Sequence, residues 1–271
     1  LPTSTVTLPE TGNPPKKTFT LISGTCEDKV LTDVTLSTVC VLIKNETLGA
    51  TYYNVLGAAW VSGSEYWDNY ASTNSAGTSF QLSVPDSAWT GNHQYRIKSK
   101  AKDRAGNWEV EAAGNTFVYD VTAPTSVVVV PAKNTGYNTL PTISGTASDV
   151  YNLSVVYASI RQRDTTMYYN GVDTFSATTE NWIQVVQNPN WTVWKTTSPP
   201  YQSGVWYVAK SSAVDIAGNS QLISSENVFT FDNVAPQTAV ETPVQFSTIS
   251  VLTTISGTST DPESGPSAVR I

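Results

Sequence analysis

The chain has 271 residues, a formal charge of −7 and an aromatic content of 10 %. Its length suggests two domains, and its acidic balance argues against nucleic acid or an anionic membrane surface as a partner. A single histidine, His93, excludes multi-histidine metal sites and argues against triad chemistry, and no run of 18 apolar residues could form a membrane-spanning helix.

In chain order, the first predicted element is an extended segment from Pro2 to Pro9, and it recurs. Pro2-Thr3-Ser4-Thr5-Val6 to Pro9, Pro124-Thr125-Ser126-Val127-Val128 to Pro131 and Pro236-Gln237-Thr238-Ala239-Val240 to Pro243 read alike. Each is followed by Ile-Ser-Gly-Thr, at Ile22–Thr25, Ile143–Thr146 and Ile255–Thr258. Self-similarity at such spacings is the signature of a tandem array. Leu8-Pro9-Glu10-Thr11-Gly12 matches a sortase signal in letters, but Asn13-Pro14-Pro15-Lys16-Lys17 follows it instead of an apolar segment. Pro9 also aligns with Pro131 and Pro243, so the run reads as a first-strand position.

Next come Val39-Val41-Ile43 and Val156-Ala158-Ile160, whose alternation predicts half-buried strands. Thr51-Tyr52-Tyr53-Asn54 with Trp60 matches Met167-Tyr168-Tyr169-Asn170 with Phe175. The irregular stretches 58–85 and 173–200, rich in Trp, predict elaborated hairpins. Tyr95-Ile97-Ser99-Ala101 is a clear strand, and it runs into Asp103-Arg104-Ala105-Gly106-Asn107, just as the strand from Tyr207 runs into Asp215-Ile216-Ala217-Gly218-Asn219. Last come Asp120-Val121-Thr122-Ala123-Pro124 and Asp232-Asn233-Val234-Ala235-Pro236. No helical periodicity stands out. The expected organisation is repeat 1 at 1–122, repeat 2 at 123–234 and a partial repeat 3 at 235–271. Ile271 is the counterpart of Ile160, and Leu1-Pro2-Thr3 lacks signal-peptide character, which predicts a piece cut from a longer array.

About seven short strands per repeat predict an all-β chain of tandem immunoglobulin-like β-sandwiches. The ordered set Ile-Ser-Gly-Thr, Tyr-Tyr-Asn, Ala-x-Asp-x-Ala-Gly-Asn and Asp-x-x-Ala-Pro resembles the tandem immunoglobulin-like repeats of large bacterial cell-surface and adhesin-type proteins. That resemblance covers the whole chain. It implies an extracellular, non-catalytic stalk or filament whose partners are neighbouring repeats or identical chains. The alternative is a carbohydrate- or surface-binding adhesin module that uses Trp-rich loops to hold a surface glycan.

The acids recur at fixed places. An immunoglobulin topology brings Asp149 and Asp215 to one pole, and Asp120 precedes the linker into that pole. Asp120, Asp149 and Asp215 are therefore the expected ligands of a Ca²⁺ at the junction, since calcium takes six to eight oxygens. Asp232 with Asp261 would begin a second such site, and Asp28 with Asp103 a first. The Asp-x-x-Ala-Pro runs look like the calcium-binding linkers of cadherins, without their dense second set of acids. The competing reading is plain turn chemistry, in which Asp bonds its own backbone. Cys26 and Cys40 either form a disulfide in an oxidising compartment or are two buried thiols. Trp60, Trp67, Trp89, Trp182, Trp191 and Trp194 are either core or a sugar platform. Tyr95 and Tyr207 sit at the corner-tyrosine position. Asn45, Asn152 and Asn190 head glycosylation sequons.

Overall fold

The computed structural model describes residues 1–12, 15–28, 36–74, 76–187, 193–222, 224–263 and 268–270. It divides into two compact units, Leu1–Ala123 with Asp215–Asn219, and Pro124–Val214 with Ser220–Ile271. The described residues form strands and one 3₁₀ turn (Asp86–Ala88), and no α-helix occurs among them.

The first sandwich contains β1 (Pro2–Leu8), β2 (Leu21–Asp28), β3 (Thr38–Asn45), β4 (Thr51–Asn54), β5 (Ala59–Ser62), β6 (Asn69–Tyr70), β7 (Ser72–Thr73), β8 (Ser79–Ser83), β9 (His93–Lys102) and β10 (Asn115–Tyr119). One sheet has the order β1-β2-β8-β7 and the other β10-β9-β3-β4-β5, with β6 also pairing β3. This is the immunoglobulin arrangement of two antiparallel sheets, with β4 and β5 extending the second beyond three strands.

The second sandwich repeats it with β11 (Thr125–Val130), β12 (Thr135–Tyr137), β13 (Thr142–Ser148), β14 (Leu153–Gln162), β15 (Tyr168–Tyr169), β16 (Phe175–Ala177), β17 (Ile183–Gln184), β18 (Val186–Gln187), β19 (Trp194–Thr197), β20 (Val205–Asp215) and β21 (Ser225–Phe231). Its sheets run β11-β13-β19-β18 and β12-β21-β20-β14-β15-β16, and β12 joins β21 in parallel. A third, two-stranded sheet joins β22 (Gln237–Thr242) to β23 (Ser256–Thr260).

Inward positions follow the period-2 pattern. On β9, Tyr95, Ile97, Ser99 and Ala101 are buried, whereas Arg96, Lys98, Lys100 and Lys102 alternate with them on the outer face. Val39, Val41 and Ile43 join the first core, and Val156, Ala158 and Ile160 the second. Each core surrounds an aromatic cluster: Trp89 with Tyr95 and Phe117 in the first, and Tyr201 with Tyr207 and Phe229 in the second. Burying one large apolar side chain of this kind contributes about 1.5–3 kcal/mol.

The shared glycine of Ile-Ser-Gly-Thr has a physical cause. The first strand of each repeat is irregular beside it, with register shifts between Val6 and Leu8, Val128 and Val130, and Val240 and Thr242. The bulged backbone presses on the glycine, and a Cβ there would lie 2.2 Å from the Thr5 oxygen, 1.9 Å from that of Val127, or 2.1 Å from that of Ala239. Aromatic rings close the other side in the two sandwiches, because Phe80 pairs across from Gly24 and Trp194 across from Gly145. The bond before the following proline is cis in all three copies, Leu8-Pro9, Val130-Pro131 and Thr242-Pro243.

Candidate functional site

The recurring acids come first. Asp103 closes a turn after β9: its Oδ1 accepts the Asn107 amide N–H at 2.8 Å and its Oδ2 the Asn107 side-chain amide at 2.8 Å. Asp215 and Asn219 repeat both bonds at the same distances. Gly106 and Gly218 adopt φ of 93° and 89°, a left-handed conformation that glycine enters without steric cost. Turn chemistry is therefore present at both positions. The Asn107 side chain, with backbone N–H groups of the turn, holds the Asp103 carboxyl below its usual range against a smaller opposing effect of burial.

This lowered value has a signed consequence. A carboxyl depressed in the folded state contributes stability that is present above its unfolded range, near 3.8, and lost as pH falls through the folded value. Acid titration of the first sandwich's melting midpoint is expected to show this loss below about pH 4, and Asp103→Asn to flatten it. An unchanged acid limb in the variant would remove Asp103 from the account.

Within the first unit, Asp120 and Asp215 are buried, 0 % and 1 % exposed. Each offers a carboxylate oxygen within 4.8 Å of the other's. Asn219 ties the two segments together, its side-chain amide donating to the Asp120 carbonyl at 3.0 Å as well as to Asp215. Asp120 Oδ1 accepts the Thr122 N–H at 2.9 Å. Asp149 lies in the second unit, where its Oδ2 accepts the Tyr151 N–H at 2.8 Å and its Oδ1 is buried, with no hydrogen-bond partner among the described residues. Among the described residues, neither Asp28 with Asp103 nor Asp232 with Asp261 belongs to a three-member group of carboxylates close enough to share an ion. Asp232 Oδ1 accepts from the Ser203 hydroxyl and the Val234 N–H, and Asp261 Oδ1 accepts the Glu263 N–H.

The cysteines correct the disulfide expectation. Cys26 and Cys40 are both free and buried. Cys26 faces the first core from β2, while Cys40 sits on β3 between the core residues Val39 and Val41 and so points to the opposite side of its sheet. A bond between them would need one strand to turn over. Burial raises the pKa of both thiols; Glu109 adds to this at Cys26, and Asp68 at Cys40.

The middle-section tryptophans divide. Trp89 and Trp194 are core, and Trp60 packs against it, its ring 5.2 Å from Tyr53 and 5.5 Å from Tyr95. Phe175 takes the same place against Tyr169 and Tyr207. Trp67 and Trp182 are half-buried, and Trp191 lies outside the described residues. The platform reading thus loses three of its members to packing.

Tyr95 and Tyr207 are corner tyrosines. The Tyr95 hydroxyl accepts the Thr90 N–H at 2.7 Å and donates to the Thr90 carbonyl at 3.2 Å, and the Tyr207 hydroxyl accepts the Gln202 N–H at 2.7 Å. Burial raises the pKa of both phenols, so they remain neutral donors and acceptors. Tyr95→Phe would leave the Thr90 N–H without its acceptor. The expected cost is about 1–3 kcal/mol in denaturant unfolding, and a loss below about 0.5 kcal/mol would mean that the corner contributes nothing.

His93 opens β9, with its Nδ1 2.9 Å from the Asn45 side-chain nitrogen. Asn45 is itself 1 % exposed and unsuited to glycosylation, Asn152 is exposed, and Asn190 lies outside the described residues.

Two further pairs of residues recur at matching places in the two repeats. Glu109 and Gln221 stand two places after the Asn of each Ala-Gly-Asn, and Asn115 and Asn227 stand four places before the aromatic that ends each repeat. Glu109 accepts from the Ser4 N–H at 2.7 Å, the Ser4 hydroxyl at 2.5 Å and the Ala101 N–H at 2.9 Å. Gln221 accepts from the Ser126 hydroxyl at 2.7 Å and, unlike Glu109, donates its side-chain amide to the Ser126 carbonyl at 3.1 Å. The Asn115 amide donates to the carbonyls of Val6 and Pro9, and the Asn227 amide to those of Val128 and Pro131. Each asparagine thereby clamps the bulged first strand where it leaves its sheet.

No protein-family model matches the chain, and no curated protein does. Solved structures do. Fibronectin(III)-like modules of Clostridium thermocellum CbhA are 13 % identical, with 85 % of this chain and 94 % of that one covered at a TM-score of 0.36. A marsupial T cell receptor is 9 % identical, with coverage of 89 % and 76 % at 0.38. The BSP domain of a biofilm associated protein is 13 % identical at 0.24, and there the alignment covers 86 % of this chain but 29 % of the other.

Proposed function

We propose that the chain is a non-catalytic segment of an extracellular, multi-repeat bacterial surface protein, in which the sandwiches act as spacer elements of a stalk or filament. One observation carries this reading. The polar residues that recur in both sandwiches are engaged in holding backbone: the Asp103 and Asp215 turns, the Tyr95 and Tyr207 corners, the Glu109 and Gln221 braces and the Asn115 and Asn227 clamps. Among these residues, repetition serves architecture. Among the described residues no helix is long and apolar enough to cross a membrane. The test is small-angle scattering on one, two and four tandem copies of residues 1–234. Growth of the longest dimension in proportion to copy number is the expected result, and copies that collapse onto one another would overturn it.

Calcium belongs to the same proposal, with Asp120 and Asp215 of the first unit as ligands. The support is chemical: two carboxylates 0 % and 1 % exposed, with oxygens within 4.8 Å of each other, suit a hard cation that takes oxygen ligands. Asp120 and Asp215 oxygens each have a second lone pair beyond their turn bonds. Calcium at 100 times its Kd is expected to add about 2.7 kcal/mol, and Asp215→Asn is expected to abolish the gain. A melting midpoint that is the same in EDTA and in millimolar calcium would overturn the site.

A further inference from the structure

Arg96, Lys98, Lys100 and Lys102 occupy alternate positions of β9 and share its outer face. They are four of the fifteen cations in a chain of net charge −7. The fold does not require them. On β20, the matching strand of the second sandwich, the same face carries Trp206, Val208, Lys210, Ser212 and Val214. Two sandwiches with one topology act as an internal control, so a row found in only one of them answers to something other than folding.

The four cations are not equally compensated. Arg96 pairs with Glu46, and Lys98 with Glu65 and Glu111. Among the described residues Lys100 and Lys102 make no ion pair. Both lie over indole rings instead: Lys100 Nζ is 5.6 Å from the Trp67 centroid and 5.4 Å from that of Trp108, and Lys102 Nζ is 5.2 Å from Trp108. Trp108 is 40 % exposed, and its backbone bridges to Lys102.

We propose that this face of the first sandwich binds an acidic polysaccharide, with uronate carboxylates on Lys100 and Lys102 and a sugar ring lying on the exposed indole of Trp108. The chemistry selects this occupant in three steps. A sugar ring offers an apolar C–H face that matches an indole, as amphipathic aromatic surfaces require. A neutral glycan would leave both ammonium groups without a counter-charge, whereas a uronate supplies one. A polyanion lacking rings would gain the charges but leave the indole unused, and the chain's net negative charge gives it no wider basic field to follow. Alternate residues on a strand are about 6.6 Å apart, so one polymer running along β9 can present successive groups to both lysines. This inference is independent of the spacer reading.

The experiment is affinity electrophoresis of the full chain through gels containing polygalacturonate, neutral dextran or inorganic polyphosphate. Retardation by polygalacturonate alone is expected, with at least a tenfold weakening in the Lys100→Gln/Lys102→Gln variant at an unchanged melting midpoint. Trp108→Ala should weaken it similarly, and Lys210→Gln, on the second sandwich, should not. Absence of retardation by polygalacturonate, retardation that survives the double lysine variant, or equal retardation by polyphosphate would each overturn the proposal. Because the lysines sit on an outer face, the double variant remains informative even if Trp108→Ala fails to fold.

Discussion

Gly145→Ala is expected to destabilise the second sandwich by at least about 3 kcal/mol, the upper range for overpacking a filled core. The added methyl would sit 1.9 Å from the Val127 carbonyl oxygen and 2.4 Å from Cζ2 of Trp194. Neither neighbour can yield cheaply. Val127 is held in the β11–β13 ladder opposite Thr146, and Trp194 is 0 % exposed. For a domain of this size the loss corresponds to a fall of roughly 10–20 °C in melting midpoint. Gly24→Ala should act likewise on the first sandwich, where Thr5 and Phe80 press from the two sides. Gly257→Ala is the control, because the three atoms nearest that position are backbone atoms of Ala239 and Val240, and it should leave the second sandwich's transition in place. Calorimetry on the three variants checks the set. A Gly145→Ala midpoint within 2 °C of the parent would sink the close-approach argument.

Glu109→Ala is the second large effect. Its carboxylate accepts from two buried backbone N–H groups, those of Ser4 and Ala101, and from the Ser4 hydroxyl. The Ser4 contact also covers the side of β1 that no other strand pairs among the described residues, a place where an open edge would otherwise invite association. Truncation leaves both amides buried and unsatisfied at about 1–3 kcal/mol each, so a total of about 2–5 kcal/mol is expected in urea unfolding of the first sandwich. Glu109→Gln should cost less, about 1–2 kcal/mol, because one carbonyl acceptor survives and Gln221 fills the corresponding place in the second sandwich. Equal losses for the alanine and glutamine variants would contradict the hydrogen-bond account and point to packing volume.

Much of the fold was legible because its determinants are local. The Asp103 to Asn107 and Asp215 to Asn219 turns close over four residues, and the corner tyrosines reach back five, so short motifs expose them. Alternation on β9 separated core from surface without any knowledge of the partner strands. The pairing of Trp60 with Phe175 as equivalent places also followed from order along the chain, and both rings do pack against the corner tyrosine. The candidate calcium ligands were legible only as recurring acids. The turns that Asp103 and Asp215 form account for their recurrence by local backbone bonds.

What the amino-acid order determined by itself is the repetition, the all-β class, the turns and the corners, since each rests on interactions spanning a few residues or on the period of a strand. Tertiary structure alone decided the rest. Cys26 and Cys40 are 14 residues apart in sequence, yet they fall on different sheets with opposite facing, and facing depends on which sheet each strand joins. Glu109 and Asn115 meet the first strand across 105 and 109 residues, a distance over which no local periodicity carries information. The row of lysines on β9 was visible as alternation, but its meeting with Trp67 and Trp108 required the loops to fold back over the sheet. Contacts of that range form only when the sandwich closes, and so they are written in the packing and not in any short stretch of the chain.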